Sequence, residues 1–306
     1  MRHIWLVITA AILAAMLALC SCSTKKNTAA SRNYQAFITR YNVYFNGDEH
    51  FKETLKSMEE SYADDYSTLL HMHPAEAKRQ PEAPQPSGDF TRSIEKAQKA
   101  IQLHSIKKRP ARKSGRSSDP AYKAWMKRDE YNPFLHNAWM MMARSQYFNG
   151  DFLGAASTFY YISKHFSWLP ATVTEAQLWQ ARSYLALDWL FEAETILRRI
   201  KPAELTSGTL KQLYDFTYAD WLVRTGQYTE AAPYLTAAAK AAKGTQKPRL
   251  YFLLGQIYTR LGENAKAYDA FGHVTKASNV PYRTQFNARI KQSEVYNGSN
   301  IEPEVR

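Results

Sequence analysis

The chain has 306 residues, a net charge of +12 and an apolar fraction of 45%. That length allows roughly one to three globular domains, and the apolar content is ordinary for a packed protein. The only two Cys, Cys20 and Cys22, lie at the N-terminus, so the composition offers no disulfide framework and no Cys-ligated metal site to the remaining chain.

Residues 1–21 read as an export signal. A basic start at Arg2 is followed by an apolar run from Ile4 to Leu19. The run ends in Leu19-Cys20-Ser21-Cys22-Ser23, which has the form of a bacterial lipobox with Cys22 as the lipid acceptor, because Ser21 before it is small. No later segment is apolar over a length that would span a bilayer. Residues 22–32 form a polar tether. Residues 33–70 are expected to be a helical hairpin: Tyr34, Phe37, Ile38, Tyr41, Tyr44 and Phe45 recur at helical steps, Asn46-Gly47-Asp48 is a turn signal, and Phe51, Leu55, Met58 and Tyr62 line a second helix. Pro74, Pro81, Pro84, Pro86 and Gly88 make residues 71–89 a linker. A helix over 90–105 follows.

Residues 106–120 are a basic loop. Lys107, Lys108, Arg109, Arg112, Lys113 and Arg116 place six positive charges in ten residues, with Pro110 and Gly115 among them. Such a run reads as a solvated segment or as a docking loop for an acidic partner, anionic lipid or cell-wall polymer. Nucleic acid is excluded by the export signal, since an exported lipoprotein does not meet it. Asp119-Pro120 has the form of a helix start.

Residues 121–296 carry a repeat. A turn residue is followed by Ala at +5 and a large apolar residue at +9 in four sets: Gly150/Ala155/Phe159, Asp188/Ala193/Leu197, Gly226/Ala231/Leu235 and Gly262/Ala267/Phe271. Seven positions before each turn sits Ala143, Ala181, Ala219 or Gly255. This period predicts stacked helical hairpins of the tetratricopeptide type, in which small residues let paired helices approach and the large residue fills the space between neighbours. The predicted fold is therefore an all-α helical-hairpin solenoid with an N-terminal helical cap region. A polar tail, 297–306, closes the chain.

The same register assigns a binding surface. The first helix of each hairpin lines the concave side, and the positions not used for packing include Arg144, Tyr147, Trp179, Arg182, Asp220, Arg224 and Arg260. Interleaved Arg and aromatic residues suit an acidic or amphipathic peptide. Catalysis lacks a carrier: the sequence has no Gly-rich phosphate loop, no His-Glu-x-x-His and no nucleophile elbow. No cofactor motif is present. His71-Met72-His73 reads as a surface loop without a third metal ligand.

Several segments resemble one family. Arg40-Tyr-Asn-Val-Tyr-Phe-Asn-Gly47, Ile94–Ile106, Glu130-Tyr-Asn-Pro-Phe-Leu-His-Asn-Ala-Trp139, Gly150–Phe159 and His165-Phe-Ser-Trp-Leu-Pro170 are similar to the tetratricopeptide lipoproteins of the type IX secretion and gliding machinery, called PorW or SprE. The resemblance runs from about Asn33 to at least Arg199, and family members are usually longer. It implies a non-enzymatic outer-membrane lipoprotein that links periplasmic ring and motor parts to the outer-membrane translocon. The stretch after Cys22, Ser23-Thr24-Lys25-Lys26-Asn27, is basic where surface display in such lipoproteins favours acidic residues, so the expected location is the outer membrane, facing the periplasm. A glycan-capture lipoprotein of the SusD kind is the alternative reading; it shares the helical repeats, lipid anchor and aromatic content.

Overall fold

The computed structural model describes residues 23–296 apart from 81, 83 and 279. The expected signal segment 1–21, Cys22 and the tail 297–306 lie outside the described residues. Among the described residues there is no strand, and no helix is long and apolar enough to cross a membrane.

The repeats form four helical hairpins: α5 (Leu135–Asn149) with α6 (Phe152–His165), α7 (Pro170–Ala186) with α8 (Leu190–Leu197), α9 (Gly208–Arg224) with α10 (Tyr228–Ala241), and α11 (Gln246–Arg260) with α12 (Asn264–Thr275). A last helix, α13 (Tyr282–Glu294), packs on α12. The turn residues act as the spacing predicts. Gly150, Asp188, Gly226 and Gly262 all have positive φ, at 91°, 55°, 74° and 71°. A left-handed residue just past a helix end lets its last carbonyls be capped, and Gly takes that conformation without a Cβ penalty. Asp188 pays this penalty and, as shown below, has a second use.

The small positions are packing positions. Ala143, Ala181, Ala219, Ala155, Ala193, Ala231 and Ala267 are fully buried, as are Phe159, Leu235 and Phe271. A Cβ built on Gly255 would lie 2.6 Å from Cε1 of Phe271, so only a residue without a side chain lets α11 approach α12 this closely. Pro170 opens α7 at its first turn, because the N–H that Pro lacks has no helical partner there.

The N-terminal region departs from the expected hairpin over 33–70. Helix α1 (Ala29–Ile38), a π-helical stretch (Thr39–Tyr44) and α2 (Phe45–Ser61) form one uninterrupted helical rod. Asn46-Gly47-Asp48 is not a turn. Gly47 is buried where this rod crosses α3 (Thr91–His104) and α5, and a Cβ there would come within 2.7 Å of Met141 Cε and 3.0 Å of Lys96 Cβ. Its smallness serves helix crossing, not chain reversal. Helices α3 and α4 (Pro120–Met126) begin where the sequence indicates, and Asp119 Oδ1 caps α4 by accepting the Tyr122 N–H at 3.1 Å.

Residues 62–80 are the largest correction. In the sequence they read as the end of a hairpin followed by a linker. Instead residues 62–80 run as a strap over the inner face of the array, with Tyr66, Leu70, Met72, His73 and much of the 3₁₀ helix Pro74–Arg79 buried. Proline excludes these residues from α-helix but not from the core.

Candidate functional site

Six of the seven predicted groove residues, Arg144, Tyr147, Trp179, Arg182, Asp220 and Arg224, lie near one another, but Tyr147 is fully buried in the core, where the sequence register had placed it outside the packing. Arg182 lies with its guanidinium carbon 4.3 Å from the Trp179 ring centroid, 4.5 Å from Phe216 and 5.2 Å from Tyr147. Arg144 sits 5.0 Å from Phe51 and 5.3 Å from Trp179. Ring faces therefore meet much of this positive charge. Burial lowers the pKa of Arg144 and raises that of the Tyr147 hydroxyl. Arg260 stands apart: it is exposed and donates to Tyr228 Oη at 2.9 Å.

The concave surface is not open. The strap fills it, running against the order of the repeats. Tyr66 packs its ring 4.9 Å from Phe252, and its hydroxyl bonds Thr284 Oγ1 at 2.6 Å. Gln256 then reads the backbone twice, accepting from the Leu70 N–H at 3.1 Å and donating to the Thr68 carbonyl at 2.6 Å. Arg249 donates to the His71 carbonyl at 3.2 Å, and Gln246 to that of Met72. Glu76 reaches α9, and Arg79 reaches Asp188 in the α7–α8 turn. The chain beyond the strap reaches the first hairpin, where the Phe90 N–H donates to Asn149 Oδ1 at 3.3 Å.

Two carboxylates anchor this segment. Asp64 takes Arg249 in a fork, Nε to Oδ2 at 2.7 Å and Nη2 to Oδ1 at 2.6 Å, with both side chains 6% exposed. Burial alone would lower the Arg249 pKa; the adjoining Asp64 more than reverses this and raises it. Glu76 takes Arg224 at 2.7 Å. Arg224 also donates to Asp220 at 2.7 Å and Asp188 at 2.8 Å, so one guanidinium joins strap, helix and turn. This is the second use of Asp188. Burial raises the Asp220 pKa to about 6 against the opposing pull of Arg224, with Glu76 adding to the rise.

His73 is also inside. Its Nδ1 accepts the Ala75 N–H at 3.1 Å, so Nε2 carries the proton and donates to Glu59 at 3.0 Å. Burial lowers its pKa to about 4, and it stays neutral. The His71-Met72-His73 motif is thus a piece of the strap and not the surface loop expected from sequence. Among the described residues no group of three His, Cys, Asp or Glu is placed to hold a metal.

The basic loop is exposed as expected, but its backbone is pinned. Asn27 Nδ2 donates to the Lys108 carbonyl at 2.7 Å, and the Lys113 N–H donates to Tyr122 Oη at 2.8 Å.

Sequence reasoning found the helical face of the groove and missed its filling. The signal was present: Tyr66, Leu69, Leu70 and Met72 are too apolar for a linker lying in solvent, and Glu76 complements the predicted Arg224 in charge, whereas Arg249, the partner of Asp64, was not among the predicted groove residues.

Residues 248–280, spanning α11 and α12, match the tetratricopeptide repeat family. None of the curated proteins compared matches the chain. Fold and repeat together define a tetratricopeptide-containing scaffold of the class that serves protein–protein interaction.

Proposed function

We propose that this protein is a non-enzymatic outer-membrane lipoprotein, anchored through Cys22 and facing the periplasm, that links ring and motor components of a type IX secretion system to the outer-membrane translocon. The reading rests on the resemblance of five segments to the PorW/SprE family. One observation supports it beyond the resemblance: four of those segments, far apart in sequence, meet in one module. Gly47 packs against Met141 and Lys96, and Tyr44 meets the Phe134 ring edge-on at 5.1 Å. Asn132 donates to Thr39 Oγ1 at 3.0 Å and to the His104 carbonyl at 2.9 Å. His165 Nδ1 lies 2.8 Å from Asp129, next to the Glu130–Trp139 segment. Residues that converge in this way form a unit that can be retained as a whole.

Crosslinking in intact membranes followed by purification tests the reading. Ring or translocon subunits are expected to accompany the protein, and its deletion is expected to block cargo export. Unimpaired export refutes the function. Cys22→Ala is expected to release the protein from the membrane fraction; firm retention refutes the anchor.

A further inference from the structure

The pinned basic loop encloses a cleft that the scaffold reading leaves without a role. The start of α1, residues 110–116 and α4 surround a cavity of about 520 Å³. Arg32, Arg112, Lys113 and Arg116 line it beside the rings of Tyr122 and Trp125, and no carboxylate lines it. Arg32 is held 5.1 Å over Trp125, and Arg116 is held 5.0 Å over Tyr122 while paired to Asp119 at 2.5 Å. Arg112 and Lys113 are exposed, and among the described residues neither side chain meets a carboxylate. The contrast with the groove is sharp, because Arg224 and Arg249 there are fully matched by acids. Cations concentrated around an aromatic floor, with Arg112 and Lys113 left unmatched, form a receptor for an anion that carries apolar surface.

The position of the cleft selects the anion. Asn27 and Thr28 form part of its wall, and Lys25 and Lys26 are exposed beside it. Cys22 and Asn27 are five positions apart in the sequence, a separation of at most roughly 18 Å. We propose that this cleft binds the phosphate-bearing headgroup of an anionic lipid in the membrane that holds the N-terminus. The proposal rests on the reading of residues 1–22 as a membrane anchor. The anchor supplies proximity; the cleft supplies lipid selectivity and fixes which end of the solenoid faces the bilayer.

The test uses the full chain isolated from membranes and placed in nanodiscs of phosphatidylcholine, with or without phosphatidylglycerol. Amide hydrogen exchange over residues 107–127 is the readout. Phosphatidylglycerol is expected to slow exchange there, and Arg112→Gln with Lys113→Gln is expected to reduce that added protection roughly 25-fold. Arg112→Lys is expected to keep it. Matching melting curves establish that the variants fold. Equal exchange in both discs overturns the proposal. Equal protection by inorganic phosphate in phosphatidylcholine discs assigns the cleft to free phosphate and overturns the lipid assignment. Protection by polyglutamate but not by phosphatidylglycerol assigns it to an acidic protein, with the same consequence. Loss of the chain from plain phosphatidylcholine discs refutes the anchor separately, and vesicle co-sedimentation of the same protein then decides the cleft.

Discussion

Asp64→Leu should release the strap from the concave face. In the wild type, Asp64 accepts two charge-assisted bonds from Arg249, and both groups are almost wholly excluded from water. Removing one partner of such a pair strands a buried charge and costs about 3–5 kcal/mol. The lower end applies, because Arg249 keeps Gln246 Oε1 at 3.0 Å and the His71 carbonyl at 3.2 Å. About 3 kcal/mol corresponds to roughly a 150-fold rise in strap opening. The Leu70 amide reports it directly, since its native acceptor is the Gln256 side chain. Exchange of residues 62–80 should accelerate by about that factor, with little change in α5 and α6. Asp64→Leu combined with Arg249→Leu should recover most of the loss, since an apolar pair needs no counter-charge. Unchanged protection of Leu70 in the single variant would refute the reasoning. So would uniform loss across all four hairpins, which would mean that the pair holds the whole array and not the strap.

Gly255→Val should destabilise the fourth hairpin by about 1–3 kcal/mol through overpacking against Phe271, seen as a lower melting temperature. Ala193→Trp or Ala231→Trp should unfold the array by overpacking, as both sites are fully buried in the core; an unchanged melting curve would contradict the repeat register. The acid cluster predicts a pH dependence. Asp220 has its pKa raised from 3.8 to about 6, so its contribution is full below pH 4 and is lost as pH rises through 6. Wild-type stability should therefore fall relative to Asp220→Asn between pH 4 and pH 7 in urea titrations. Arg224, Glu76 and Arg182 stay as its charged neighbours in both proteins. A constant difference across that range would show that Asp220 is ionised throughout.

The repeat was legible in the sequence because it is local. A turn residue, an Ala five positions on and a large apolar residue nine positions on lie within one hairpin, and their spacing follows from 3.6 residues per turn. All four turn residues adopt the left-handed conformation their positions require, Asp188 included. The concave residues from Arg144 to Arg224, Tyr147 apart, followed from the same ruler. Gly47 shows the limit of local reading. Flanked by Asn and Asp it satisfies the rules for a turn, yet the atoms that require its smallness belong to Lys96 and Met141, 49 and 94 residues away.

The strap lay beyond that limit for the same reason. Its two carboxylate anchors and Tyr66 join residues 148 to 218 positions apart, as in Glu76–Arg224, Asp64–Arg249 and Tyr66–Thr284, and no periodicity links such pairs. Sequence alone determined that helices pair, where they turn and which face curves inward, since neighbours along the chain supply those forces. Only the tertiary structure decided that the inward face is occupied by residues 62–80, because burying Arg249 and Arg224 requires carboxylates that the rest of the chain must bring to them.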